Sequence, residues 1–247
     1  MKRILTIFAL SFFAISLSAQ TTIIPKPQKS EIYQKYFLLD NNCVMHTNEK
    51  NLKNLIYLQE KLVKATGYSF KYVKQIPADK YIIFEENVKL DIPEEGYLLE
   101  VNDNGVTIKA KDGAGIFYGI QSLMQMLPPA IYSGNPTNRG SWSLPYIKIE
   151  DYPRFHYRGM MLDVSRTFFN YDDIIKYIDW LAYHKINKFH WHLTDDNGWR
   201  IEIKKYPELT AKGAWRGPDE VLSPAFGSGN KRYGGYYTQE QIKKIVA

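Results

Sequence analysis

Residues 157–216 read YRGMMLDVSRTFFNYDDIIKYIDWLAYHKINKFHWHLTDDNGWRIEIKKYPELTAKGAWR, and the order of elements in that stretch decides the fold. A short apolar run over 157–164 leads into Asp163-Val164-Ser165-Arg166. Asn170 is placed to cap a helix, and Asp172 and Asp173 sit in its first turn, where the helix dipole favours negative charge. Ile174, Ile175, Ile178, Leu181 and Ala182 form its apolar stripe. A second apolar run, Lys188 to Leu193, ends in Thr194-Asp195-Asp196. Strand, helix and strand in this order outline a βαβ unit.

In parallel sheets with helical crossovers, chemistry gathers at the carboxyl ends of the strands. Arg166 and Asp195 both fall just past such ends. A cation and a carboxylate at one mouth suit a hydroxyl-rich ligand, and equally a structural ion pair at a loop base. His190 and His192 share a strand face. His-x-His followed by carboxylates fits a metal site, but no third strong ligand is evident, and packing within a sheet is the favoured reading. Asp195 and Asp196 are adjacent and point to opposite sides of an extended backbone. They are poorly placed as the facing acid–base pair of a glycosidase, which needs a gap of roughly 5–10 Å. One can face the mouth while the other ties down its loop.

Working outward, residues 22–28 are an extended, Pro-punctuated entry. Residues 51–66 carry a helical stripe of Leu52, Leu55, Ile56, Leu62 and Val63, with Gly67 at the C-cap position. Strands are expected over 68–73 and 81–84, and a hairpin over 96–110 around Asn102-Asp103-Asn104-Gly105. Asp112 opens a helix with Ile116, Ile120, Leu123 and Leu127 on one face, stopped by Pro128-Pro129. Its glycines at 113, 115 and 119 match neither a dinucleotide loop nor a P-loop, and close packing on a sheet explains them. Residues 130–145 read as a linker, although 145–150 is strand-like. The last helix, 239–246, is capped by Thr238. The expected class is α/β, an α+β sandwich over 20–152 followed over 153–247 by the start of a second unit. Two strand–helix units leave an unpaired parallel edge, so the chain reads as cut short after the second.

The 247 residues are 45% hydrophobic and 23% charged, enough to bury a core. Lys2 and Arg3 followed by an apolar run to Leu17 and then Ser18-Ala19 form a signal-peptide pattern over 1–19. That points to an exported protein, periplasmic or secreted, with no membrane span after the leader is removed. Losing Lys2 and Arg3 takes the formal net charge from +6 to +4 with no dense basic run, which argues against nucleic acid. A single cysteine, Cys43, excludes an intramolecular disulfide.

R-G-M-M-L-D-V-S-R-T-F-F (158–169) and F-H-W-H-L-T-D-D-N-G-W-R-I-E-I (189–203) closely resemble the first two strands of family 20 glycoside hydrolases, the β-N-acetylhexosaminidases. D-G-A-G-I-F-Y-G-I-Q-S-L-M-Q-M-L (112–127) resembles the end of that family's N-terminal α+β domain. The resemblance begins at I-P-K-P (24–27) and covers nearly all the chain that follows the leader.

It implies a TIM (β/α)8 barrel acting on terminal, non-reducing N-acetyl-β-D-hexosamine, in which the substrate's own acetamido oxygen is the nucleophile. It implies no metal and no cofactor, and as partners N-acetylhexosamine-containing glycans. Arg166 takes the position that grips sugar hydroxyls. Asp195 takes the catalytic position, in a relay through a histidine to the general acid. Arg158, Asp163 and Asp196 take supporting positions, and Trp199 and Arg200 follow in the loop, where aromatic packing is favoured over stacking on sugar. The family's relay histidine, Asp-Glu pair and acetamide-enclosing tryptophans come later in its chain. Asp219-Glu220 follows Gly217-Pro218 and lacks the expected H-x-G-G lead. Hydrolysis is therefore expected of a longer chain and not of these residues alone. The competing expectation is a non-catalytic carbohydrate-binding protein.

Overall fold

A computed structural model of the protein describes residues 22–137, 141–226 and 228–246. The leader expected over 1–19 lies outside them. The first half is built on β1 (Lys29–Leu38), β2 (Val44–Thr47), α1 (Leu52–Thr66), β3 (Lys71–Tyr72), β4 (Tyr81–Glu86), β5 (Tyr97–Asn102), β6 (Gly105–Ala110), α2 (Gly113–Met126) and β7 (Ser143–Asp151). Its strands form one seven-stranded sheet in the order β1-β7-β5-β6-β4-β2-β3. The pairs β2–β3, β2–β4 and β4–β6 are parallel, whereas β5 and β7 run antiparallel to their neighbours.

Local chemistry explains most of these elements. Asn102 Oδ1 accepts the Asn104 N–H at 2.9 Å and closes the β5–β6 turn. Asp112 caps α2 by accepting the Gly115 N–H at 2.7 Å. Gly67, with φ of 72°, ends α1 in the left-handed region. Leu55, Leu58 and Leu62 of α1 and Ile116, Ile120 and Leu123 of α2 bury against Leu99, Val101, Ile108 and Ile147 of the sheet. Each such side chain contributes about 1.5–3 kcal/mol. A Cβ on Gly119 would lie 2.5 Å from Ile108 Cγ2, and one on Gly115 2.2 Å from the Gly96 carbonyl. The glycine spacing therefore serves helix-on-sheet packing. The other sheet face is wet, laced by the pairs Lys109–Glu85 and Lys29–Glu150, which stabilise little.

Some elements differ from expectation. β1 has no helical or alternating signature, because most of its residues are exposed and its register shifts between Tyr33 and Tyr36. The strand expected over 68–73 contracts to β3. The linker-like stretch after Pro128 contains a short 3-10 turn, Pro129–Tyr132, whose Ile131 is buried in the core.

The second half holds β8 (Gly159–Asp163), α3 (Tyr171–Tyr183), β9 (Lys188–His192), β10 (Thr194–Asp195), β11 (Gly198–Trp199), α4 (Glu208–Ala211), β12 (Trp215–Arg216), β13 (Tyr233–Gly234) and α5 (Gln239–Val246). β8 and β9 pair in parallel with α3 as the crossover, as the sequence implied. Asn170 caps α3 through the Asp173 N–H at 3.0 Å. Thr238 and Gln241 cap α5 reciprocally, each accepting the other's backbone N–H. Val164, Ile174 and Tyr237 centre a second, smaller core.

A buried polar cluster joins the halves. Lys185, at φ of 58° just after α3, sends its ammonium to Asp151 Oδ2 and Tyr97 Oη, both at 2.8 Å. The Tyr97 hydroxyl also donates to Asp151 at 2.9 Å.

Candidate active site

The in-register pairing of β8 with β9 sets Asp163 beside His192 and Met161 beside His190, on one face of the pair. Asp163 ends its strand and turns the chain, its Oδ1 accepting the N–H groups of Ser165 and Arg166 at 3.0 Å each. The turn swings Arg166 back over the strand ends. There Nη1 donates to Asp163 Oδ2, and Nη2 donates to Asp195 Oδ2 at 2.9 Å. His192 Nε2 lies 3.1 Å from the same Asp195 oxygen, and Asp195 Oδ1 accepts the Asp196 N–H at 2.8 Å.

The electrostatics follow from these bonds. Burial works against ionisation of Asp163, but the N–H groups and guanidinium of Arg166 outweigh it and hold the carboxyl below its ordinary value. The Asp196 N–H, then His192, hold Asp195 low as well. Asp163, then Asp195, raise Arg166. The result is a fixed cation flanked by two anions. Two of its five N–H donors are used within the chain, and three remain on a side chain that is 45% exposed. Such a group can grip vicinal hydroxyls in a defined orientation.

Beneath it lies a support that the sequence did not announce. Arg200 is fully buried. Its guanidinium donates to the carbonyls of Val164 at 3.0 Å, Ser165 at 2.7 Å, Ala214 at 2.5 Å and Gly235 at 3.1 Å. Burial, then the nearby Arg216, push its pKa down to about 10, which still leaves a cation at neutral pH. Arg216, itself buried, donates to the carbonyls of Arg166 and Asn197. Gly234, at φ of 147°, lets the backbone come this close, since a Cβ there would meet the Ala214 carbonyl at 2.0 Å. Two guanidiniums thus pin the 164–166 turn that aims Arg166. The available signal was an arginine set between Trp199 and Ile201 in an apolar run.

The family model of the glycosyl hydrolase family 20 catalytic domain matches residues 155–247, and that of glycosyl hydrolase family 20 domain 2 matches residues 20–152. The chain belongs to glycosyl hydrolase family 20. The beta-hexosaminidase of Porphyromonas gingivalis is 39% identical over 226 residues, which are 91% of this chain and 28% of that protein. The beta-hexosaminidase of Vibrio furnissii is 43% identical over 166 residues, 67% of this chain and 26% of that protein. Among solved structures, the exo beta-N-acetylglucosaminidase of Vibrio harveyi in complex with N-acetylglucosamine superposes with a TM-score of 0.79 at 34% identity. That match covers 92% of this chain and 35% of the other. The chain therefore spans between about a quarter and a third of these family 20 relatives, and its architecture is a sheet domain followed by the start of their catalytic domain.

Of the positions that the family 20 resemblance singled out, the structure brings Asp163, Arg166 and Asp195 together. Asp196 is exposed and meets the group through its backbone N–H, while its side chain accepts from Asn197. Arg158 does not join them. It precedes β8, at the end of the strand opposite Asp163, and binds Glu95 Oε2 at 2.8 Å and the Lys185 carbonyl at 2.7 Å. A residue five positions before Asp163 on an extended strand cannot reach its carboxyl end, so Arg158 supports the junction between the halves. Trp199 donates its indole N–H to the Ile201 carbonyl, and Glu220 is held by Arg232 in the loop between β12 and β13. Among the described residues no group of three His, Cys, Asp or Glu is arranged to hold a metal ion.

Proposed function

We propose that this chain carries the sugar-gripping arm of an exo-acting β-N-acetylhexosaminidase that releases terminal, non-reducing N-acetyl-β-D-hexosamine with retention. Support comes from the family, from relatives named as beta-hexosaminidases, and from the N-acetylglucosamine held by the Vibrio harveyi protein. The observation that carries the reading is Arg166, clamped by Asp163 and Asp195 with three donors left for a ligand. In the proposed reaction the acetamido oxygen attacks the anomeric carbon while an acid protonates the departing oxygen. Water then opens the cyclic intermediate from the opposite face. Asp195 holds its place in the array and orients a relay histidine that the resemblance places later in the chain, and Arg166 fixes the ring so that the internal nucleophile is in line. The resemblance puts the acid later in the family's chain, so the 247 residues alone are proposed to bind sugar without cleaving it. The leader pattern over 1–19 supports placement outside the cytoplasm. No described helix is long and apolar enough to cross a membrane.

The test is calorimetric titration of the chain with N-acetylglucosamine. Arg166→Ala is expected to cost about 1.5–3 kcal/mol of binding, the loss of hydrogen bonds from a charged donor. Unchanged affinity would remove Arg166 from the site. The pH dependence has a definite sign. Asp163 and Asp195 titrate below their ordinary values, so both stay ionised as pH falls through the usual carboxylate range near 4. Their clamp on Arg166 is lost only below it. A loss of affinity is therefore expected below about pH 4, and Asp195→Asn should lower affinity at pH 7 and shift that acid limb. A limb in the same place in the variant would leave Asp195 as scaffold.

A further inference from the structure

A cleft of about 700 Å³ runs between α1 and the 3-10 turn at Pro129–Tyr132 on one side and α3 on the other. It lies on the outer side of α3 and uses none of Asp163, Arg166 or Asp195. Its wall is aromatic. Tyr132 and Tyr183 meet edge to face at 5.5 Å, and Tyr183 meets Trp180 the same way at 6.0 Å. Trp180 is 62% exposed and Tyr132 46%, so this ring surface is open to water although chain flanks the cleft on both sides. Buried cores do not leave such rings wet, and a concave aromatic wall is the usual lining of a ligand site.

The polar groups of the cleft are mostly donors. Lys61 spans it to Asp179 at 3.3 Å, which uses up the one carboxylate of the lining. Lys64 and Lys176 also line it, are exposed, and have no carboxylate partner among the described residues. Burial, then the neighbouring Tyr183 and Tyr57, push the Tyr132 phenol up, so it remains a donor at every physiological pH. The indole N–H of Trp180 can only donate, and so can the ammonium groups. The complementary ligand has an apolar ring face to lie on Trp180 or Tyr132, many oxygen acceptors, and negative charge.

We propose that this cleft is an accessory binding site for an acidic oligosaccharide, one whose rings carry a carboxylate or a sulfate. Lys64 and Lys176 meet the anionic groups, and Trp180 with Tyr132 stacks the ring faces. The site is independent of the catalytic reading, because it rests on a different surface and different residues.

The experiment is calorimetric titration at low salt of the 247-residue chain carrying Arg166→Ala, so that N-acetylhexosamine sugars do not register at the site proposed above, with four probes. They are a hyaluronan tetrasaccharide, a sulfated chondroitin tetrasaccharide, neutral chitotetraose and adenosine monophosphate. At least one acidic tetrasaccharide should bind roughly tenfold more tightly than chitotetraose. Binding of hyaluronan shows that a carboxylate suffices, and binding of the chondroitin alone assigns the sulfate. The double variant Lys64→Ala/Lys176→Ala should abolish that preference. Trp180→Ala should weaken the acidic probe by roughly tenfold. Both further substitutions are made in the Arg166→Ala background, which separates this site from the one proposed above. These side chains are exposed, so the variants should fold, and circular dichroism checks it. Equal binding of acidic and neutral sugars, an unaffected Trp180→Ala, or adenosine monophosphate binding as tightly as the sugars would overturn the assignment.

Discussion

Arg200→Ala is expected to unfold the second half of the chain or leave it without fixed tertiary structure. The guanidinium is the hydrogen-bond partner of four buried carbonyls drawn from three separate segments. Each carbonyl left unsatisfied costs about 1–3 kcal/mol, and the sum approaches the whole stability of an ordinary domain, about 5–15 kcal/mol. Arg200→Lys should rescue little, because one ammonium cannot reproduce the planar fork that spans Val164, Ser165, Ala214 and Gly235. Urea unfolding followed by tryptophan fluorescence reads this directly, since most of the tryptophans lie in that half. A variant with a native-like midpoint would show that water replaces the guanidinium, and the keystone role would be lost.

Lys185→Ala is expected to cost about 3–5 kcal/mol, the penalty for leaving one partner of a buried ion pair unpaired. Lys185 and Asp151 are 6% and 7% exposed, so water cannot solvate the carboxylate left behind. The ammonium itself is held under tension, since burial lowers its pKa against the opposing pull of Asp151. Lys185→Met combined with Asp151→Asn should recover most of the loss, because the amide still accepts from Tyr97 and no bare charge remains. The midpoints of the two variants in urea decide the matter. If the double variant is no more stable than the single one, packing of the lysine stem and not charge pairing holds the junction.

Much of this structure was legible because its causes are local. Asn170, Asp112 and Thr238 are caps that act within three residues of themselves, and each marks a helix start that the structure shows. The hairpin of β5 and β6 carries its own turn and alternation. Arg166 and Asp195 could be placed at one mouth because each follows a strand end by a fixed, short offset. β1 was hidden because an exposed edge strand with a register shift carries no periodic burial. Arg200 and Arg216 were hidden for another reason. Their partners are backbone carbonyls, which every residue possesses, so nothing in the composition of residues 164, 214 or 235 advertises the contact. Lys185 was opaque in the same way, since its partner lies 34 positions earlier in a strand of the other half. Arg158, which the resemblance marked as supporting, lies at the opposite end of its strand from Asp163 and does its supporting at the junction of the halves.

The buried lysine at the junction has a consequence for biosynthesis. The ribosome delivers the chain from its amino end, and domains tend to form as they emerge. β7, which closes the seven-stranded sheet and carries Asp151, is complete before any of α3 has been made. Tyr97 and Asp151 are thus free to form their socket before Lys185 leaves the exit tunnel. The later half arrives to a mould that fixes where its first helix ends, and β9, the strand that leads into Asp195, starts three residues after the lysine that enters it.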